Sequence, residues 1–199
     1  MEIGALLQAL HVAEQLKNNT RHSWTSDGRH ESVAEHSWRV TLMAYFVKDE
    51  YPDLDMNRVL LMCLIHDLGE AFTGDIPAFV KTEADEERES ALLSQWVSSL
   101  PEPFREEMDE LYREMDAQET AEARLYKALD RMETIIQHNE APISTWLPLE
   151  YEKNLVYGKE QCAFSPYTSA LQERVKNDCL EKIRREGSGE PAENQENTP

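Results

Sequence analysis

Val59-Leu60-Leu61-Met62-Cys63-Leu64-Ile65 is the longest uninterrupted apolar run in the chain, and His66-Asp67 follows it directly. The run is too short to cross a bilayer, which takes about 20 such residues. Asp55 before it supplies a helix N-cap, so the segment reads as a helix that is apolar nearly all round and central to the fold. An ionised Asp67 beside such a helix is costly unless it is paired or ligated. Composition alone yields about 0.3 His-Asp doublets in a chain with this many of each residue, so the pair gains meaning only from its neighbours.

Working outward, the pattern is helical throughout. Ile3, Leu6, Leu7, Leu10 and Ala13 recur at helical spacing and predict a first helix over about residues 2–17. Residues 18–31 are polar and aperiodic, contain Asp27-Gly28, and read as a loop. Ser32-Val33-Ala34-Glu35 matches a capping box and opens a second helix, with His36, Val40, Ala44 and Val47 on one face. Beyond Pro77 come two acidic amphipathic helices. Leu92, Leu93, Trp96 and Val97 form one inner face; Phe104, Met108, Leu111, Tyr112 and Met115 form the other. A helix over about 119–138 turns Leu125, Leu129, Met132, Ile135 and Ile136 inward, and Ser165-Pro166 starts a last one. No strand pattern or fixed-period repeat stands out. The expected architecture is all-α, a single-domain helical bundle over residues 1–185. A disordered acidic tail is expected over 186–199, where apolar residues larger than Ala are lacking.

Composition narrows the function. The 199 residues carry a formal net charge of −19, and residues 83–122 alone hold fourteen acids against three bases. A field of that sign repels a polyphosphate backbone, so no nucleic-acid polymer is expected as a partner. Neither a membrane span nor a secretory signal is expected: Glu2 stands where a basic n-region belongs. Cys63, Cys162 and Cys179 make an odd set without CxxC spacing and fit reduced thiols in a cytoplasmic protein. His30-Glu31 lacks the second His of a zinc-protease motif, and no P-loop, GxSxG or GxGxxG is present.

The polar residues set into this apolar scaffold carry the chemistry. His36 lies on the inner face of the second helix, and Asp130 is embedded in the core-facing Ala128-Leu129-Asp130-Arg131-Met132. Glu70 stands four residues after His66, on the same side in helical geometry. Two imidazoles and two carboxylates from three helices make a cage for one divalent transition metal. Mixed N/O donors suit Mn, Co, Fe, Ni or Zn better than Ca or Mg. Four ligands in an octahedral sphere leave two positions open for water and substrate.

His36, His66-Asp67 and Asp130 together resemble the H…HD…D signature of the HD-domain metal-dependent phosphohydrolases. Arg21 ahead of Glu31-Ser-Val-Ala-Glu-His36, and His66-Asp-Leu-Gly-Glu70 leading to Thr73-Gly-Asp75-Ile-Pro77 and Lys81, extend the likeness. They point to the branch of YfbR-like bacterial 5′-deoxynucleotidases and their eukaryotic HD-domain-containing relatives, over roughly residues 5–140.

The resemblance implies His36, His66, Asp67 and Asp130 as metal ligands. It implies Glu70 and Asp75 as the carboxylates that position the attacking water or protonate the leaving 5′ oxygen. It also implies Arg21, with Lys81 a second candidate, as the phosphate contact. It implies a small nucleotide substrate and a homodimer. A bound metal and Arg21 must then overcome an unfavourable far field, so no electrostatic steering of the on-rate is expected. In those deoxynucleotidases a Trp directly follows the phosphate-binding Arg. Here the sequence is Arg21-His22-Ser23-Trp24, so His22 or Trp24 takes that place and deoxyribose preference does not carry over. The expected activity is metal-dependent removal of the 5′-phosphate of (deoxy)nucleoside monophosphates. The alternatives are an HD-type hydrolase of a nucleoside triphosphate, alarmone or cyclic dinucleotide, and a non-catalytic metal- or nucleotide-binding module.

Overall fold

The capping box at Ser32 forms as the sequence predicts: its Oγ accepts the Glu35 N–H at 3.3 Å, and Glu35 Oε2 accepts the Ser32 N–H at 2.9 Å. Such a cap contributes about 1 kcal/mol and fixes where the helix bearing His36 begins. The computed structural model describes residues 1–187. In chain order its elements are α1 (Ile3–Asn18), β1 (Thr20–Trp24), β2 (His30–Ser32), α2 (Val33–Val47), α3 (Met56–Ile65), α4 (Glu70–Thr73), α5 (Glu83–Ser98), α6 (Phe104–Ala117), α7 (Ala121–Glu140), α8 (Glu150–Lys153), α9 (Lys159–Cys162) and α10 (Pro166–Glu186). Single 3₁₀ turns follow α2 and α7.

Two apolar clusters meet along α7. Val40 and Ala44 of α2, Val59, Met62 and Cys63 of α3, and Leu111 and Met115 of α6 pack with Leu125 and Leu129. On the adjoining face Ala128, Met132 and Ile135 pack with Trp146, Cys162, Val175 and Cys179. With Leu125, Leu129, Met132 and Ile135 all buried, α7 is the axis of the bundle, and its buried polar side chains, Asp130, Glu133, Thr134, Gln137 and His138, must find partners inside the protein.

Two expectations need correction. The 18–31 segment is a β-hairpin: β1 and β2 pair antiparallel, with Thr20 opposite Ser32 and Trp24 opposite His30. Gly28 turns the chain at φ 79°, a conformation that only glycine adopts without cost. The α3 run is buried on one face only, because Leu61 and Leu64 are about half exposed. Helix α10 runs through Glu186, which accepts the Ile143 N–H at 3.2 Å. The rest of the expected tail, from residue 188, lies outside the described residues. Helix α1 forms where predicted, yet Ile3, Leu6, Leu7 and Leu10 stay exposed, and Leu16 is its one buried residue.

Candidate metal centre

His36 follows the α2 cap by one turn and is completely buried. Its Nδ1 is hydrogen-bonded to the Glu133 carboxylate, which assigns the proton to Nδ1 and turns the Nε2 lone pair inward. His66 ends α3, where its Nδ1 donates to the Cys63 carbonyl at 2.8 Å, so its Nε2 also faces inward. The two Nε2 atoms lie 3.3 Å apart. Asp130 Oδ1 is 3.3 Å from His36 Nε2 and 3.7 Å from His66 Nε2. Asp67 Oδ2 is 3.7 Å from His36 Nε2 and 3.2 Å from His66 Nε2. Separations of 3.2–3.7 Å are those of neighbouring donors that share one transition metal at about 2.0–2.2 Å.

The electrostatics point the same way. Burial works against ionising Asp130, but Lys127 and the two imidazoles hold it well below the usual carboxylate range. The Lys127 ammonium sits 3.0 Å from Oδ2, which leaves Oδ1 to the histidines. Burial, then the neighbouring Asp67 and Asp75, push the Glu70 carboxyl up to about 10. Glu70 Oε2 is buried without a hydrogen-bond partner. Burial and Arg21 disfavour a proton on His36, yet Asp130 and Glu133 outweigh them and raise it. A carboxylate-rich pocket that takes up protons, with a buried carboxylate oxygen left unpaired, is short of positive charge. A divalent cation between the imidazoles supplies it, so the residues present fit a metal.

Beside this centre lies a cleft of about 260 Å³ lined by Arg21, His22, Asp67, Glu70, Asp75, Lys81 and Asp130, among others. Arg21 comes from β1. Its Nη2 donates to Thr134 Oγ1 at 3.1 Å, its Nε lies 3.4 Å from Glu31, and its Nη1 lies 3.8 Å from Asp67. Lys81 reaches the cleft wall but is tied to Glu89 at 2.8 Å. Six of the eight sequence-predicted residues, Arg21, Asp67, Glu70, Asp75, Lys81 and Asp130, line this cleft, and His36 and His66 meet it through Asp67 and Asp130.

Sequence reasoning missed the supporting residues. Glu133 orients His36, Arg39 lies 3.6 Å from Glu133, and Glu31 and Thr134 hold Arg21. The available signal was position: Glu133 and Thr134 fall one turn beyond Asp130, inside a helix otherwise committed to the core.

A family model for the HD domain matches residues 13–172. The human 5′-deoxynucleotidase HDDC2 is 38% identical over 140 residues, 68% of either chain, and its mouse counterpart is 35% identical over 139. Among solved structures, a predicted metal-dependent phosphohydrolase from Magnetospirillum magnetotacticum MS-1 superposes with a TM-score of 0.75 at 30% identity, covering 90% of this chain and 93% of that one. An HD-domain phosphohydrolase from Listeria innocua, 20% identical with a TM-score of 0.68, shares the fold. The family model spans most of the chain: this protein belongs to the HD domain family.

Proposed function

We propose that this chain hydrolyses the 5′-phosphate of nucleoside monophosphates, using one divalent transition metal held by His36, His66, Asp67 and Asp130. The observation that carries the reading is that Asp67 and Asp130, each within 3.7 Å of both histidine Nε2 atoms, line the same cleft as the Arg21 guanidinium and the Glu70 and Asp75 carboxylates. When bound, a metal of this kind lowers the pKa of a coordinated water and offsets charge on a phosphoryl oxygen.

The chain's own residues supply the rest. Arg21, fixed by Thr134 and Glu31, presents a bidentate fork to the remaining phosphate oxygens. Water attacks phosphorus, the bond to the 5′ oxygen breaks, and that oxygen needs a proton. Glu70, whose carboxyl burial and the neighbouring Asp67 and Asp75 push up, gives it, and Asp75 orients the water and accepts the proton the water loses. Lys81 contacts phosphate only on leaving Glu89. Binding alone needs no proton-transfer carboxylates, which favours an enzyme over a binding module.

Trp24 packs on His30 with ring centroids 4.0 Å apart, while His22 lines the cleft beside Arg21. An imidazole in place of an indole supports acceptance of both ribose and deoxyribose. Phosphate release from 5′-monophosphates, against 3′-monophosphates, nucleoside triphosphates and cyclic dinucleotides, tests the reading. Release confined to 5′-monophosphates is expected. Faster turnover of a triphosphate overturns it.

Trp38 and Phe46 of α2, Leu61 and Leu64 of α3, and Leu7 and Leu10 of α1 stand exposed. Large exposed apolar side chains on three successive helices support a homodimer. Sedimentation is expected to give twice the chain mass, and Trp38→Glu with Phe46→Glu to give the monomer. A monomeric parent protein excludes the dimer. No helix among the described residues is long and apolar enough to cross a membrane. All three cysteines are free and buried, which suits a cytoplasmic setting.

A further inference from the structure

Asp130, Thr134 and His138 recur every four residues along α7, so the polar stripe that begins at the metal cage runs on to a second cluster. There His138 meets His22 of β1 and Glu150 of α8. His22 Nε2 lies 2.8 Å and His138 Nε2 3.7 Å from the same oxygen, Glu150 Oε1. All three donor atoms fall within 4.8 Å of one another. Four ligands at about 2.0–2.1 Å around a tetrahedral ion sit about 3.3 Å apart, and the observed separations bracket that value.

We propose that His22, His138 and Glu150 form a second divalent-metal site, of zinc type, that clamps the β-hairpin and α8 onto α7. It does not depend on the phosphohydrolase reading. The donors are already aimed. Glu150 Oε2 accepts the Leu147 N–H at 2.7 Å, which turns Oε1 toward the histidines. His138 Nδ1 donates to Asn154 Oδ1 at 3.2 Å, the outer partner that leaves Nε2 with its lone pair. Ser23 Oγ lies 3.2 Å from that Nε2, where a hydroxyl or a water completes a four-coordinate shell. Burial lowers the affinity of His138 for a proton and keeps its imidazole neutral, as a metal ligand must be.

His138 and Glu150 are buried, while the His22 side chain is 27% exposed and gives an ion its way in. The edge of Phe79 against His22 dries the other flank. Eight residues of helix separate Asp130 from His138, about 12 Å of rise. The metals of a bridged catalytic pair are about 3.5–4 Å apart. The second ion is therefore a separate clamp, one residue along β1 from Arg21.

The test is metal content per full-length chain after equilibrium dialysis against zinc, with thermal midpoint as a second readout. The parent protein is expected to bind two ions, Glu150→Gln and His22→Ala one each, and Asp67→Ala with His66→Ala the other one. His22 lies on a half-exposed strand, so His22→Ala preserves the fold if Glu150→Gln does not. Zinc is expected to raise the midpoint of the Asp67→Ala, His66→Ala protein, and His22→Ala to abolish that rise. One ion in the parent, lost with Asp67 and His66, overturns the second site and leaves the cage standing. One ion lost only with Glu150 or His22 does the reverse. A second ion that survives both Glu150→Gln and His22→Ala also overturns the proposal.

Discussion

Asp67→Ala protein is expected to keep its fold, lose its catalytic metal and fall by about a thousandfold or more in kcat/KM. Asp67 is the ligand to choose because its side chain is 19% exposed and sits in the turn after α3, outside both apolar clusters. His36 is a poorer probe. It is wholly buried against Glu133, and removing one partner of a buried ionic pair costs about 3–5 kcal/mol, which confounds activity with unfolding. Metal content and circular dichroism of the same sample separate the two effects. Glu133→Gln serves as a control of intermediate size: it removes the carboxylate that orients the His36 ring, and such outer partners are worth about 10–100-fold in metal affinity. Full activity in Asp67→Ala contradicts the ligand assignment.

Arg21→Lys is expected to lower kcat/KM by about a hundredfold with little change in metal content. The guanidinium is held from three sides, by Thr134, Glu31 and Asp67, and one ammonium cannot keep those contacts and fork onto a phosphate as well. Lysine is preferred to alanine because Glu31 is almost fully buried beside Arg21. Burial and Glu133 already push the Glu31 carboxyl up to about 7, with Arg21 holding it down. Removing the positive charge altogether leaves that carboxylate uncompensated and destabilises the hairpin. Steady-state kinetics beside a thermal melt read both quantities. Unchanged kcat/KM in Arg21→Lys removes Arg21 from the phosphate site.

The helical framework was legible because its signals are local. Ser32 with Glu35, Asp55 and Ser165 cap the helices the sequence assigned to them. The hairpin was not legible, for a physical reason. Its inward residues, Arg21, Ser23 and Glu31, face a polar site rather than an apolar core, so the strand alternation is written in polar residues and hydrophobic periodicity misses it. Glu133 escaped notice because a carboxylate on a helix reads as a solvated face until tertiary packing buries it. The exposed apolar side of α1 is the converse case. Helical spacing marks Leu7 and Leu10 as one face, but nothing local says whether that face meets this chain or another.

The central claim is that one cleft combines a metal cage with phosphate-directed groups. Phosphate release from nucleoside 5′-monophosphates by metal-stripped protein, before and after return of Mn or Co, tests it most directly, with Asp67→Ala and Glu70→Ala run alongside. Release that depends on returned metal and is lost in both variants is the predicted result. Release that persists without metal, or survives in both variants, contradicts it.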